Sequence, residues 1–410
     1  MFERLGKRSG GRDRGDVHMG EPGFLRKLVR PRKLESVFLF VTSKCNSNCR
    51  TCFYASEHQE GRDMTFDEIR RISDTAPDFD KLWIAGGEPF LRKDLAEIIE
   101  MFHRHNGVKA INLPTNGLLP DPVEKIVGRL LDSCPGMTIH LNFSLDGLGE
   151  THDQVRRVPG NFDKTVATME RIESAFGSHP HLHRNVATVV TPIAYEGLFD
   201  LGAYLFQKFN LATQYFESVR GEPRDPELEP IDRARLEALH ESLMPLYEGM
   251  ADRLFGEMRP GVRDFARLYF IGTIRLLYRL QEQNLEGPCD WGMRCTAGQT
   301  TFVIDHDGGF RACELRPRIG RMQDFDFDLG AALRSTGLRD EIAAIGGGAR
   351  ANCWCTHTCW MLASLKFSPG TLLYRIPRAY FDYRRNGSRA FDPAEHRLRD
   401  IEERIEQARS

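Results

Sequence analysis

Val41-Thr-Ser-Lys-Cys45-Asn-Ser-Asn-Cys49-Arg-Thr-Cys52-Phe53-Tyr54 is the stretch whose reading decides the fold. Three cysteines stand in the spacing C-x3-C-x2-C, directly after the apolar run Val37-Phe-Leu-Phe-Val41. Cysteine thiolates are the ligands of [4Fe–4S] clusters, so three on one short loop can hold three irons of a cube. The next cysteine is Cys134, too far along the chain to be part of the same loop, which leaves one iron open to a non-protein ligand. Zinc is the competing reading, but structural zinc prefers a closed set of four ligands and this loop offers three.

Working outward, apolar runs alternate with amphipathic segments from Leu34 onward. Strands are expected over 36–41, 81–85, 110–113, 138–144, 185–190 and 213–216. Helices are expected over 65–76, 93–105, 122–133, 162–176 and 197–209, the first opened by the capping box Thr65-Phe-Asp-Glu68. Six such repeats predict a parallel sheet with right-handed crossovers, an α/β fold of partial (β/α)6 TIM type. Chemistry on such a scaffold sits at the C-terminal ends of the strands, where the cysteine loop is placed.

Other strand ends carry suitable groups. Gly86-Gly87-Glu88-Pro89 follows the second strand, Thr115-Asn116-Gly117 the third and Ser144-Leu-Asp146-Gly147 the fourth. Further on, His152-Asp-Gln-Val-Arg156-Arg157-Val-Pro-Gly160 offers two arginines suited to planar carboxylates. The C-x3-C-x2-C loop followed one βα unit later by GGEP resembles the radical SAM superfamily.

That resemblance implies S-adenosylmethionine (SAM) on the open iron and its reductive cleavage to a 5′-deoxyadenosyl radical. It implies that Phe53 packs on the adenine and that Gly86, Gly87, Glu88 and Pro89 receive the methionine amino group. Asn116, Ser144 and Asp146 would then reach the ribose or carboxylate, and Arg156 or Arg157 would pair with the carboxylate, Arg156 fitting the family spacing better. Thr188 and Val190 are weaker candidates on the fifth strand.

A second cysteine group begins at Cys289 and continues through Cys295, Cys313, Cys353, Cys355 and Cys359. The run Phe302–Cys313 reads as a β-hairpin turning at Asp307-Gly308, which would hold Cys295 and Cys313 at its open end. Cys295, Gly308 and Cys313 resemble the C-x(9–15)-G-x4-C pattern of SPASM and Twitch domains, which carry auxiliary [4Fe–4S] clusters. A full SPASM set has seven cysteines, and here there are six in contracted spacing. One auxiliary cluster is expected, on Cys289, Cys295, Cys313 and Cys359. Cys353 and Cys355 could replace some of these, hold a second cluster, or stay unligated, and a zinc ribbon is the alternative for this half. Cys134 reads as a small buried hydrophobe.

The resulting organisation is a basic arm over 1–33, a core barrel over 34–221, linker and bridging helices over 222–287, a small cysteine-rich α+β SPASM/Twitch-like domain over 288–370, and an extension with a charged helix over 371–410. The bridge is expected to break at Arg259-Pro-Gly261. Composition is ordinary for a globular chain of 410 residues: 41% hydrophobic, 28% charged, net charge −2. Neither nucleic acid nor a membrane span is indicated, and the expected location is cytoplasmic. The expected partners are an electron donor such as flavodoxin or ferredoxin, and a small-molecule or ribosomal-peptide substrate. An iron–sulfur electron-transfer protein and a zinc-stabilised binding module are the rival readings.

Overall fold

The structure is a computed structural model, and it describes residues 34–57, 61–228, 231–285, 287, 292–346, 353, 355–387 and 391–408. Cys289 and the 1–33 arm lie outside these residues. The chain divides into two compact units, one of 33–231, 296–345 and 396–410, the other of 1–32, 232–295 and 346–395.

The first unit is built on a nine-stranded sheet. Six parallel strands come first: β1 (Ser36–Thr42), β2 (Lys81–Gly86), β3 (Ala110–Thr115), β4 (Thr138–Ser144), β5 (Leu182–Val190) and β6 (Thr213–Ser218). Each expected strand is present, with β5 starting three residues earlier than expected. The sheet order is β6-β5-β4-β3-β2-β1-β7-β8-β9, so β6 and β9 are edges and the barrel is partial. The expected hairpin forms β7 (Thr301–Ile304) and β8 (Gly309–Arg311), followed by β9 (Gly320–Arg321). β7 also pairs in parallel with β1, so the hairpin extends the barrel's own sheet, which no local sequence signal announces.

Crossover helices follow each strand: α1 (Phe66–Thr75), α2 (Leu95–Asn106), α3 (Pro120–Ser133), α4 (Gly149–Arg156), α5 (Asn161–Phe176) and α6 (Leu198–Lys208). The Thr65 capping box forms with both reciprocal bonds, at 3.2 and 2.8 Å. α4 was not expected, because its eight residues are short and polar and its last turn ends at Arg157 in the left-handed region (φ 53°).

Period-2 burial separates the two faces of the sheet. Ile111, Leu113, Ile139, Leu141, Phe143 and Val186 are fully buried under the helices. In the registers that pair Trp83 with Asn112, Asn112 with His140, and His140 with His183, the opposite face keeps half-buried side chains. In a filled barrel these inward positions would be packed; here they stay half-buried.

The second unit is helical. α7 (Arg233–Phe255) and α8 (Pro260–Leu285) are the bridging helices, broken between 255 and 260 as the sequence suggests. Two helices of the first unit, α9 (Leu329–Leu333) and α10 (Thr336–Ile345), intervene in the chain. The second unit then resumes with α11 (Thr358–Leu365), a π-helical turn Thr371–Arg375 and α12 (Ile376–Arg385). Tyr269, Leu276, Leu277, Leu280, Met293, Met361, Leu365, Ile376 and Ala379 form its apolar core. The terminal α13 (Leu398–Gln407) belongs to the first unit, where Arg404 on it pairs with Asp200 at 2.7 Å. No helix among the described residues is long and apolar enough to cross a membrane.

Candidate metal centre and SAM-binding site

The cysteine loop has no regular structure of its own, so its backbone groups must find partners elsewhere. Three segments supply them. The C-terminal end of α4 accepts Asn48 N–H on Arg156 O (3.3 Å) and Arg50 N–H on Val155 O (2.9 Å). The turn after β2 donates Gly87 N–H to Thr42 O (2.9 Å) and Glu88 N–H to Lys44 O (2.8 Å). Residues after β6 donate Arg224 N–H to Cys52 O (2.9 Å) and Asp225 N–H to Arg50 O (3.0 Å). Asp225 also takes Arg50 Nε at 2.6 Å, which holds its carboxyl below the usual range. The expected linker over 222–232 therefore includes a clip on the loop. Asp63, another residue that the sequence did not single out, accepts Thr42 Oγ1 (2.6 Å) and Ser43 N–H (2.8 Å).

Gly86 and Gly87 are where close approach excludes a side chain. Gly86 has φ +128°, and a Cβ there would lie 2.3 Å from Thr42 O. A Cβ on Gly87 would lie 2.0 Å from Lys44 O and 3.0 Å from Cys45 Cβ. The two glycines thus let the loop lie directly on the turn.

Cys49 is buried, and Cys45 and Cys52 are half-buried. Burial pushes the Cys45 thiol up to about 12, with Cys49 and Glu88 adding to the rise, and it pushes Cys52 up as well. Thiols raised in this way ionise readily only when a cation takes the charge, as metal binding does. One compensating charge is already present. Arg156 Nη1 donates to Cys49 Sγ at 3.5 Å while its Nε pairs with Asp146 Oδ2 at 2.6 Å. Burial opposes the Arg156 charge, but Asp146 and Cys49 outweigh it and its pKa is raised. The donor set, its desolvation and this cation fit an anionic thiolate-bound cluster.

The two arginines of the 152–160 stretch face different partners. Arg156 faces the cysteines, whereas Arg157 is 43% exposed and reaches Asp225 at 3.4 Å. Asp146 is fully buried, and its other oxygen accepts Val189 N–H at 2.9 Å. His152 Nδ1 accepts Asp146 N–H at 3.0 Å, and burial, helped by Arg156, lowers its pKa to about 4. Asp146 is therefore an anchor for Arg156 and β5.

Glu88 is buried at the head of this site. It accepts Asn116 N–H (2.8 Å) and Phe90 N–H (3.3 Å), and burial raises its pKa to about 7 against those bonds. Pro89, also buried, opens the short 3-10 turn Pro89–Leu91 that carries Phe90. Asn116 donates its amide to Asn46 Oδ1 at 2.7 Å, tying β3 to the cysteine loop. Ser144 is half-buried at the end of β4, and Thr188 Oγ1 donates to Leu145 O at 2.7 Å. Phe53 is half-buried with the Arg220 guanidinium 4.7 Å over its ring.

The second cysteine group is split between the units. Cys313, after β8, belongs to the first, and Cys295, Cys353, Cys355 and Cys359 to the second. All nine described cysteines are free thiols. Cys295 and Cys355 pack against the apolar core of the second unit. Cys355 Sγ accepts His357 N–H at 3.2 Å, and Asn284 Nδ2 donates to Cys355 O at 2.5 Å. Cys359 stands in the first turn of α11. Cys134 is buried, as expected of a small apolar side chain.

Comparison with known proteins agrees with this picture. Residues 39–187 match the radical SAM superfamily. The chain is 36% identical over 143 residues to a probable GTP 3′,8-cyclase of Methanococcus maripaludis, covering 34% of this chain and 46% of that protein. It is 31% identical over 233 residues to an AdoMet-dependent heme synthase of Methanosarcina barkeri, covering 53% and 62%. The chain thus spans about half the length, 46%, of the first of these relatives. Among solved structures, the fold is similar to anSMEcpe with bound AdoMet (TM-score 0.57, 19% identity, 86% of this chain and 99% of that one). It is also similar to Streptococcus suis SuiB bound to S-adenosylmethionine (TM-score 0.53, 16% identity, 77% and 68%). Over residues 39–187 the chain is thus similar to the radical SAM superfamily.

Proposed function

We propose that the protein is a radical SAM enzyme in which Cys45, Cys49 and Cys52 hold three irons of a [4Fe–4S] cluster. When bound, the cluster and SAM, given one electron by a flavodoxin or ferredoxin, supply a 5′-deoxyadenosyl radical that removes a hydrogen atom from substrate. The observation that carries this reading is the clasped, desolvated cysteine loop with Arg156 aimed at Cys49.

The remaining roles belong to this chain's own residues. Gly86 and Gly87 seat the loop, and Pro89 shapes the turn behind Glu88. Glu88 and Asn116 line the strand ends beside it and, with Ser144, present the hydrogen-bonding groups that orient SAM. Phe53 supports the adenine side. Arg156, held by Asp146, balances the negative charge of the thiolates, and Arg157 takes no part in SAM binding. The inward face of the sheet, toward the C-terminal ends of its strands, receives the substrate. The substrate is a small molecule or a ribosomal peptide. An auxiliary [4Fe–4S] cluster on the C-terminal cysteines, drawn from Cys289, Cys295, Cys313, Cys353, Cys355 and Cys359, favours net oxidation as a dehydrogenation or a crosslink.

Anaerobic reconstitution with SAM and dithionite tests the reading. Wild type is expected to release 5′-deoxyadenosine, and the Cys45→Ala/Cys49→Ala/Cys52→Ala variant none while keeping its auxiliary iron. Undiminished 5′-deoxyadenosine from the triple variant would overturn the assignment.

A further inference from the structure

Alternation with the buried Phe216 places Glu217 on the inward face of the sheet, at the C-terminal end of β6. Three residues on, Arg220 donates Nη1 to Glu217 Oε2 at 2.8 Å and holds Nη2 3.4 Å from Glu314 Oε1. The same guanidinium lies 4.7 Å over the ring of Phe53, the residue after Cys52. The Glu314 side chain is 4% exposed, and its neighbour in the chain is Cys313. All of these residues belong to the first unit.

The backbone holds this segment against both of its neighbours. Gly221 adopts φ +62°, and a Cβ there would lie 3.2 Å from Phe53 Cβ and 3.2 Å from Leu315 Cδ2. The chain after Arg220 thus runs between Phe53 and the residues that follow Cys313. Farther on, Arg224 N–H and Asp225 N–H donate to Cys52 O and Arg50 O. A guanidinium favours the face of an aromatic ring, and its planar fork can meet carboxylates from the same position. Phe53 is half-buried, so core packing alone does not fix its ring, and the clamped guanidinium covers one face of it. Tyr54, next in the chain, shares a 2.6 Å hydrogen bond with His306 Nδ1 in the turn between β7 and β8. Two successive residues after Cys52 are therefore held by the 306–315 stretch, one directly and one through Arg220.

We infer that Arg220 is a positioning residue for SAM: clamped by Glu217 and Glu314, it sets the Phe53 ring on the adenine side and ties that setting to the chain at Cys313. The inference rests on the radical SAM reading, in which Phe53 supports the adenine. It gives Arg220 a part in SAM affinity and Glu314 a part in coupling the two cysteine groups. Coupling between two sites is reciprocal in binding free energy. What Cys313 holds therefore alters SAM affinity, and SAM alters the surroundings of Cys313.

The test uses the full chain with 4-fluorophenylalanine at position 53 and reads fluorine NMR before any cluster is loaded. Arg220→Met/Glu314→Gln is expected to move the position-53 resonance, Arg220→Lys to move it less, and Arg171→Ala, at a surface pair on α5, to leave it in place. The double variant replaces both partners by neutral groups, so no buried carboxylate is stranded. Gly221→Ala, which presses on Phe53 from the backbone, should also move it. Anaerobic calorimetry on the reconstituted proteins then measures SAM affinity, expected to fall about fivefold in the double variant, the size of a partly exposed cation–π contact. KM for SAM should rise while kcat for 5′-deoxyadenosine stays, the pattern of lost uniform binding. Should the double variant melt below wild type, Arg220→Lys and Gly221→Ala decide by the same readouts. An unmoved resonance, or SAM affinity equal to wild type, overturns the inference while leaving the radical SAM reading in place. Wild type that binds no SAM overturns that reading, and the role of Arg220 with it.

Discussion

Replacing Gly87 with alanine tests whether the turn after β2 positions the cysteine loop. The new Cβ would stand 2.0 Å from Lys44 O and 2.5 Å from Lys44 C, where real Cβ contacts do not fall below 3.0 Å. Both obstructing atoms are backbone, so one segment must move by about 1 Å, and overpacking of this kind costs typically ~1–3 kcal/mol. The same movement stretches Gly87 N–H to Thr42 O and Glu88 N–H to Lys44 O, each worth about 1 kcal/mol net. The total is about 3–5 kcal/mol if the loop stays in place, and less if it shifts and carries Cys45 with it. Either way the iron site suffers. The assay compares iron retained at the loop, visible absorbance and melting temperature with those of Gly136→Ala. Gly136 has positive φ (+81°), unlike Gly87, and nothing within 4 Å of a Cβ, so Gly136→Ala carries backbone strain of roughly 1–2 kcal/mol with no collision at the loop. Gly87→Ala is expected to lose loop iron and Gly136→Ala to keep it. Equal iron and equal melting in the two variants would refute the idea that Gly87 seats the loop.

The other predictions follow from the same geometry. Arg156→Ala strands the fully buried Asp146 carboxylate and should cost about 3–5 kcal/mol in denaturant titration, whereas Arg157→Ala, which removes an exposed side chain and leaves Asp225 paired with Arg50, should cost ~1 kcal/mol or less. His152 has its folded pKa lowered to about 4 from an ordinary 6.5, so the unfolded chain binds its proton first as pH falls. Stability should therefore drop by roughly 3 kcal/mol between pH 6.5 and 4, and His152→Asn should flatten that part of the profile. Asp225→Ala removes the clip on Arg50, and faster loss of loop iron to a chelator is expected at nearly unchanged melting temperature. Thr65→Ala, which removes the α1 cap, should lower stability by about 1 kcal/mol and leave SAM binding untouched.

The barrel strands were legible because each is a short apolar run bounded by turn residues, and the cysteine spacing carried its chemistry locally. α4 was missed because its eight residues hold only His152 and Val155 as large buried side chains, too few to set a helical period. The extension of the barrel sheet by β7 was missed for a different reason. A hairpin pattern reports its own turn, while the partner of its outer edge, here β1, is a long-range choice. Asp63 and Asp225 were missed because each acts through a single carboxylate on a polar loop, that of Asp225 being rich in acids and prolines, where one more acid carries no signal. Conversely, spacing only favoured Arg156 over Arg157 without deciding between them. The left-handed turn at Arg157 separates them, ending α4 between the two so that one side chain faces the thiols and the other Asp225.

The way the cysteine loop is held has a consequence for assembly. Its partners come from three distant parts of the sequence: the turn at 86–88, the end of α4 at 155–156, and residues 224–225 after β6. The turn after β2 can reach the loop once β1 and β2 pair, but the end of α4 and residues 224–225 can do so only when β3 to β6 have joined the sheet. The thiols are then gathered by the completed sheet, so a preformed site precedes cluster loading. Fixing the loop in advance lowers the ordering cost that binding would otherwise carry. A zinc-finger-like unit behaves in the opposite way, because its metal supplies the folding free energy. The apo form should accordingly show a cooperative unfolding transition of its own and near-native circular dichroism in the far ultraviolet. An apo protein that stays unfolded until iron and sulfide are added would show instead that the cluster organises the barrel end.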